Sequence, residues 1–174
     1  MKKTPFLLAI MLTSSLLVTA CNRGSSDNPA DSGGTATGSG TMSATVDGQS
    51  WTATSGTVFA TYSTNTLTVI GSQVQGTSAS TFNITINNVT GTGEFRLGLP
   101  GFAQGVAIYG TGTSAGSNAQ AWVTTNTETG TVNITRFDTQ NKIVAGTFSF
   151  RCRSTNATPE IRNITEGRFD ARWQ

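Results

Sequence analysis

The side chains available for chemistry are two cysteines, nine carboxylates and eleven basic residues, with no histidine anywhere in the chain. Without an imidazole, the Ser-His-Asp and Cys-His arrangements are excluded, together with the commonest transition-metal ligand. Cys152 has no other ligands spaced to hold zinc with it, so no metal site is expected. Paired carboxylates are the remaining route to hydrolysis, as in glycosidases. Of the nine acids, Asp27 and Asp31 fall in a polar linker, and Asp47 and Asp138 fall at turns. Glu94, Glu128, Glu160, Glu166 and Asp170 read as solvated strand or loop positions. The glycines lie at strand ends, without the lysine and helix that follow a phosphate-cradling loop. This inventory predicts no catalytic centre and no cofactor.

One cysteine does have a chemistry written around it. Lys2 and Lys3 precede an apolar run from Phe6 to Val18, the charged-then-apolar order of a secretory leader, which is too short to span a bilayer comfortably. The run ends in Val18, Thr19, Ala20 and Cys21, which resembles the lipobox of bacterial lipoprotein signal peptides. That resemblance implies removal of residues 1–20, a diacylglycerol on the Cys21 sulfur, and the membrane as a partner. Each buried CH₂ of an acyl chain contributes roughly 0.8 kcal/mol, so two or three palmitate-length chains hold a protein firmly. Asn22 stands where the inner-membrane retention signal has aspartate, so delivery to the outer membrane is expected, with its periplasmic and external faces both open.

With Cys21 lipidated, Cys152 has no disulfide partner in the chain. It alternates with Phe148 and Phe150, so a strand would bury all three on one face and leave an inert thiol.

Charge is unevenly distributed. From Asn22 to Thr135 there are two basic and five acidic residues, and from Arg136 to Gln174 seven basic and four acidic. The mature chain is nearly neutral overall, which excludes a nucleic-acid binder. Outward positions beside Phe148, Phe150, Phe169 and Trp173 are Arg151, Arg153, Arg168, Asp170 and Arg172. If the last two strands are neighbours, Arg151, Arg153, Arg168 and Arg172 form one basic stripe suited to an anionic glycan, a lipid headgroup or an acidic protein. The alternative is a solvated face with cross-strand Arg–Asp pairs that guards an edge.

The elements that must position these groups are strands. Charged residues make up only 11% of the chain, and Thr, Ser, Gly and Asn fill the gap, a bias toward strands and turns over helices. Residues 22–41 contain no apolar side chain larger than alanine and read as a disordered tether. A single all-β domain is expected from 42 to 174. Asp47-Gly48 is a type I′ hairpin signal that pairs Val46 with Gln49 and turns Trp51 to the core. Alternation then marks strands through Val58–Tyr62, Leu67–Val69 after a turn at Thr64 and Asn65, Phe82–Ile86, Phe95–Leu99, Val106–Ile108, Ala121–Val123, Val132–Ile134, Val144–Cys152 and Phe169–Trp173. Gly110 to Asn118 reads as a polar loop, and the direction of Trp122 is open. About ten strands with short links predict either an antiparallel meandering barrel or a two-sheet sandwich, with the barrel favoured.

Five motifs carry a resemblance over most of Met42 to Trp173: VDGQSW at 46–51, TFNITI at 81–86, GTVNITRFD at 130–138, GTFSFRC at 146–152 and ITEGRFDARW at 164–173. Together they resemble a family of small Gram-negative, Bacteroidetes-type lipoproteins classed only as a domain of unknown function. The resemblance implies the anchor and the all-β fold, and it brings no site residues. The five Asn-x-Thr triplets, at Asn83, Asn88, Asn133, Asn156 and Asn163, are then strand and turn composition. The expected function is a non-enzymatic binding or structural domain on an envelope lipoprotein. Two alternatives are a barrel carrier of a small apolar ligand, which requires an internal cavity, and a carbohydrate-binding module, with Trp122 as an exposed platform.

Overall fold

The structure is a computed structural model that describes residues 35–174, except 99, 100, 102, 114, 116, 157 and 158. The leader, the lipobox with Cys21, and the ends of the strand expected at Leu99 and Pro100 lie outside the described residues. Eleven strands are present among the described residues: β1 Thr41–Val46, β2 Gln49–Thr52, β3 Phe59–Ser63, β4 Thr66–Gln75, β5 Ser78–Ile86, β6 Gly93–Leu97, β7 Gly105–Thr113, β8 Gln120–Val123, β9 Gly130–Asp138, β10 Ile143–Ser154 and β11 Ile161–Arg172.

All eleven belong to one sheet, ten of them in the order β2-β1-β11-β10-β9-β6-β7-β5-β4-β3 with β8 off this path. Its two ends come together. Ala60 of β3 bridges Trp173 after β11, and beyond β2 the Thr54 N–H donates to the Ser72 carbonyl of β4 at 2.8 Å. The sheet therefore rolls into a barrel, the favoured reading, but not a plain meander. β6 lies parallel to β7 at Leu97 and Gly105, β1 pairs with β11 from the other end of the chain, and β8 pairs with both β7 and β10.

The turns form where the sequence specifies them. Asp47 and Gly48 have φ of 48° and 83°, and Thr64 and Asn65 have 51° and 58°, the paired positive angles of two-residue hairpins. Val46 faces Gln49 and Ala44 faces Trp51. The expectation that Gly110 starts a loop is corrected: β7 continues to Thr113, paired throughout with β5. Gly110 and Gly112 contribute no apolar side chain, so the sequence shows no periodicity there. The closing strand also starts earlier than Phe169, at Ile161. Glu166, at φ 54°, sits in a bulge where Phe148 pairs with Gly167 but Phe150 pairs with Ile164. The extra residue breaks the alternation that marks a strand.

The barrel is filled by side chains. Phe82 touches Trp51, Tyr109, Phe148 and Phe150, with ring centroids 4.6–6.0 Å apart, and Phe95, Leu97, Ile84, Ile86 and Ile134 extend the same cluster. A Cβ on Gly167 would stand 2.3 Å from the Phe148 ring, so the large ring is matched to a bare backbone on the neighbouring strand. This packing argues against the internal apolar cavity that a lipocalin-like carrier needs. Outward positions such as Thr68 and Thr85 on β4 and β5 are hydroxylated and paired to one another at 3.1 Å. Apolar inside and polar outside is the reverse of a lipid-facing barrel.

One end is closed by Tyr62, Phe137 and Trp173, with centroids 5.0–5.5 Å apart. The chain also enters there, and the reading of residues 22–41 as a segment that buries nothing is corrected over its last part. Ala36 is buried, and Thr37, Gly38 and Ser39 donate backbone N–H bonds of 2.9, 2.8 and 3.3 Å to the Asp170 carboxylate. The Ser39 hydroxyl adds a fourth bond at 3.0 Å. Arg136 donates to the Ala36 carbonyl and Arg172 to that of Thr37. Composition concealed this clasp because its bonds use the segment's backbone, which needs no large side chain.

Candidate functional site

The predicted basic stripe does not assemble. β10 and β11 are neighbours, but they are antiparallel, with Thr147 opposite Arg168 and Ile143 opposite Arg172. Arg151 and Arg172 therefore lie eight residues apart along β10, about 26 Å at strand rise. Arg151 lies 3.5 Å from Glu128, Arg172 donates to the Asn141 carbonyl at 2.9 Å, and Arg168 is only half-buried. Arg153 is exposed beyond Arg151. Asp170, expected to face solvent, is 1% exposed because the entering segment covers it. Trp122 is also 1% exposed, so it is no open platform for a sugar ring. Cys152 is buried, as expected.

What does assemble is the open end of the barrel. On several strands the inward-facing phase turns from apolar to polar at this same end. Gln49 precedes Trp51, Gln73 follows Val69 and Gly71, Ser80 precedes Phe82, Thr111 follows Tyr109, Gln120 precedes Trp122, and Arg162 precedes Ile164. The resulting rim holds two adjoining cavities of about 400 and 370 Å³. Gln73, Thr111 and Gln120 line both. Sequence reasoning missed this set. The usable signal was a polar residue in the inward phase at a strand end, and Arg162 is its clearest case.

The floor of this mouth is aromatic and hydrogen-bonded. Trp51 Nε1 donates to Ser80 Oγ at 2.7 Å. Tyr109 lines the same cavity, its phenol pushed up by burial. Arg162 lies over the Trp122 ring, 4.9 Å from its centroid. Trp122 Nε1 is buried without an acceptor among the described residues. Arg162 Nη1 is 2.9 Å from Asp47 Oδ2, while Asp47 Oδ1 accepts the Asn163 N–H at 2.8 Å. The β1–β2 turn is thereby locked onto β11.

Burial by itself would raise the Asp47 pKa, but the Asn163 N–H and the Arg162 guanidinium outweigh it and hold the carboxyl below its ordinary value. A carboxylate with a depressed folded-state pKa stabilises the fold fully above its unfolded value, near 4, and loses that contribution as pH falls through the lower folded value. The melting temperature should therefore hold above about pH 5 and drop below about pH 4. Asp47→Asn keeps a residue that tolerates positive φ, and should remove part of that acid dependence in a calorimetric pH series.

Cys152 stands behind the floor, with Sγ 3.8 Å from the Arg162 carbonyl. Burial, with a smaller contribution from the Asp47 charge, pushes its thiol up to about 12. In a Cys21→Ala chain, where Cys152 is the one thiol, a thiol reagent at pH 8 should leave folded protein unmodified and label it stoichiometrically in denaturant. Labelling of the native protein within minutes would contradict the packing. No group of three or more His, Cys, Asp or Glu side chains is placed to hold a metal ion among the described residues.

No curated protein and no solved structure matches the chain. Residues 38–171 match a family model described as a domain of unknown function, DUF6252, which covers every strand from β1 to β10 and all but the last residue of β11. The chain belongs to that family.

Proposed function

We propose that this protein is a non-catalytic binding lipoprotein of the Gram-negative envelope. In this reading it is anchored in the outer membrane through Cys21 and meets its ligand at the open rim of the barrel. The observation that carries the rim is the conversion of the inward phase to amide and hydroxyl side chains on several strands at this end, above a packed aromatic floor. A structural barrel has no need of a concave polar mouth. The lack of histidine throughout the chain supports binding over turnover. The dispersed arginines of β10 and β11 make a poorer face, because Arg151 is engaged by Glu128 and Arg172 by backbone carbonyls.

The two ends of the barrel divide the work. The chain from Cys21 joins at the closed end, where Asp170 holds residues 37–39. From there β1 runs six residues, about 20 Å, to the Asp47 turn at the mouth. A lipid at Cys21 would thus draw the closed end toward the membrane and leave the rim free.

Metabolic labelling with a palmitate analogue tests the anchor. The wild-type chain should take the label and sediment with outer membranes, and Cys21→Ala should be unlabelled and recovered in the soluble fraction. An unlabelled wild-type chain, or one recovered in the inner membrane, would overturn the assignment.

A further inference from the structure

We infer that the rim groove is a binding site for a neutral glycan of two or more sugar units. This rests on the rim being the binding face and adds the chemistry of its ligand. The two adjoining cavities share Gln73, Thr111 and Gln120, so they form one trough, and each falls in the range of roughly 300–1,000 Å³ typical of small-ligand sites. Its single charged pair, Asp47 and Arg162, is internally compensated at 2.9 Å. The rest of the polar lining is amide and hydroxyl, groups that both donate and accept. A sugar hydroxyl also does both, so a neutral glycan can satisfy such a lining in either sense, whereas an anion offers only acceptors and an apolar ligand offers neither.

Two further observations narrow the class. Trp122 lines the trough, and its indole N–H is buried with no acceptor among the described residues, so the site offers a donor for a hydroxyl or ring oxygen. Its face lies under Arg162, which stays paired with Asp47, so the ligand would engage Trp122 through the N–H edge and not by stacking on the ring. An extended peptide adding to the sheet would need free backbone on β4 beside the trough. There the Ser72 carbonyl already accepts the Thr54 N–H, and the Ser72 and Val74 N–H groups donate to Thr57 and Thr54 hydroxyls at 3.3 and 2.9 Å. Backbone recognition by strand addition is closed off at that edge.

The test is titration calorimetry on the full chain in detergent micelles. The probes are maltotetraose, cellotetraose, xylotetraose and mannotetraose, with tetraglycine and heparin as comparators. At least one neutral tetrasaccharide should bind saturably. Gln73→Ala/Gln120→Ala should weaken it about tenfold or more, as expected when hydrogen bonds to a ligand are removed. Arg151→Glu/Arg153→Glu should leave it unchanged. Gln49→Ala, on the opposite wall, serves as a second variant should the double change disturb folding. Absence of binding to all of the tetrasaccharides, or binding insensitive to both rim variants, overturns the inference. Tetraglycine or heparin binding that is lost in the rim variants, without glycan binding, refutes the ligand class and leaves the rim as the binding face. Heparin binding lost only in the arginine variant refutes both.

Discussion

Phe82→Ala is expected to lower the unfolding free energy by about 3–5 kcal/mol, the cost of removing a fully buried phenyl ring from a core that cannot collapse around the gap. Phe82 is 0% exposed and packs edge-on against Trp51, Phe148 and Phe150 and tilted against Tyr109. Domains are stable by only about 5–15 kcal/mol, so the variant should lose roughly a fifth or more of the wild-type margin. The loss should also reach the mouth, because Trp51 and Tyr109 are at once neighbours of Phe82 and the floor of the rim. Urea denaturation measures the effect. Phe59→Ala is the control: at 57% exposure, its loss should change stability by less than about 0.5 kcal/mol. A Phe82→Ala loss below about 1 kcal/mol would mean that the aromatic cluster is not the core.

Asp170→Ala is the second large effect, expected at about 2–3 kcal/mol. The carboxylate accepts bonds from three backbone N–H groups and one hydroxyl of residues 37–39, and hydrogen bonds to a charged group contribute about 1.5–3 kcal/mol each. Most of that gross gain is offset by the roughly 1–2 kcal/mol per residue needed to order the segment. The variant should lose hydrogen-exchange protection at Thr37, Gly38 and Ser39 first, with the barrel amides following only globally. Asp170→Asn should be intermediate, since its amide oxygen can still accept but without charge. Unchanged protection in Asp170→Ala would show that Arg136 and Arg172 hold the segment unaided.

The all-β fold was legible because Asp47-Gly48, Thr64-Asn65 and the Phe82–Ile86 alternation each fix local geometry through neighbouring residues. Pairings distant in sequence were not. Nothing in the chain says that β1 lies beside β11, or that β8 bridges β7 and β10. Only that order places Gln49, Gln73, Thr111, Gln120 and Arg162 at one end. Taken strand by strand, each looks like an ordinary polar strand end. The arginine stripe failed for a related reason: adjacency of β10 and β11 was a sound expectation, but antiparallel register converts nearness in sequence into separation along the barrel. Asp170 kept its outward phase and became buried because backbone from the other end of the chain covers it.

The rim as binding face is tested most directly by hydrogen–deuterium exchange on the full chain, with and without glycans extracted from the envelope of the producing cells. Slowed exchange should fall on residues 49–51, 73–75, 109–113 and 118–122, around the trough and its floor. Slowing confined to 151–153 and 168–172, or to the closed end around Asp170, would contradict the assignment of the binding face.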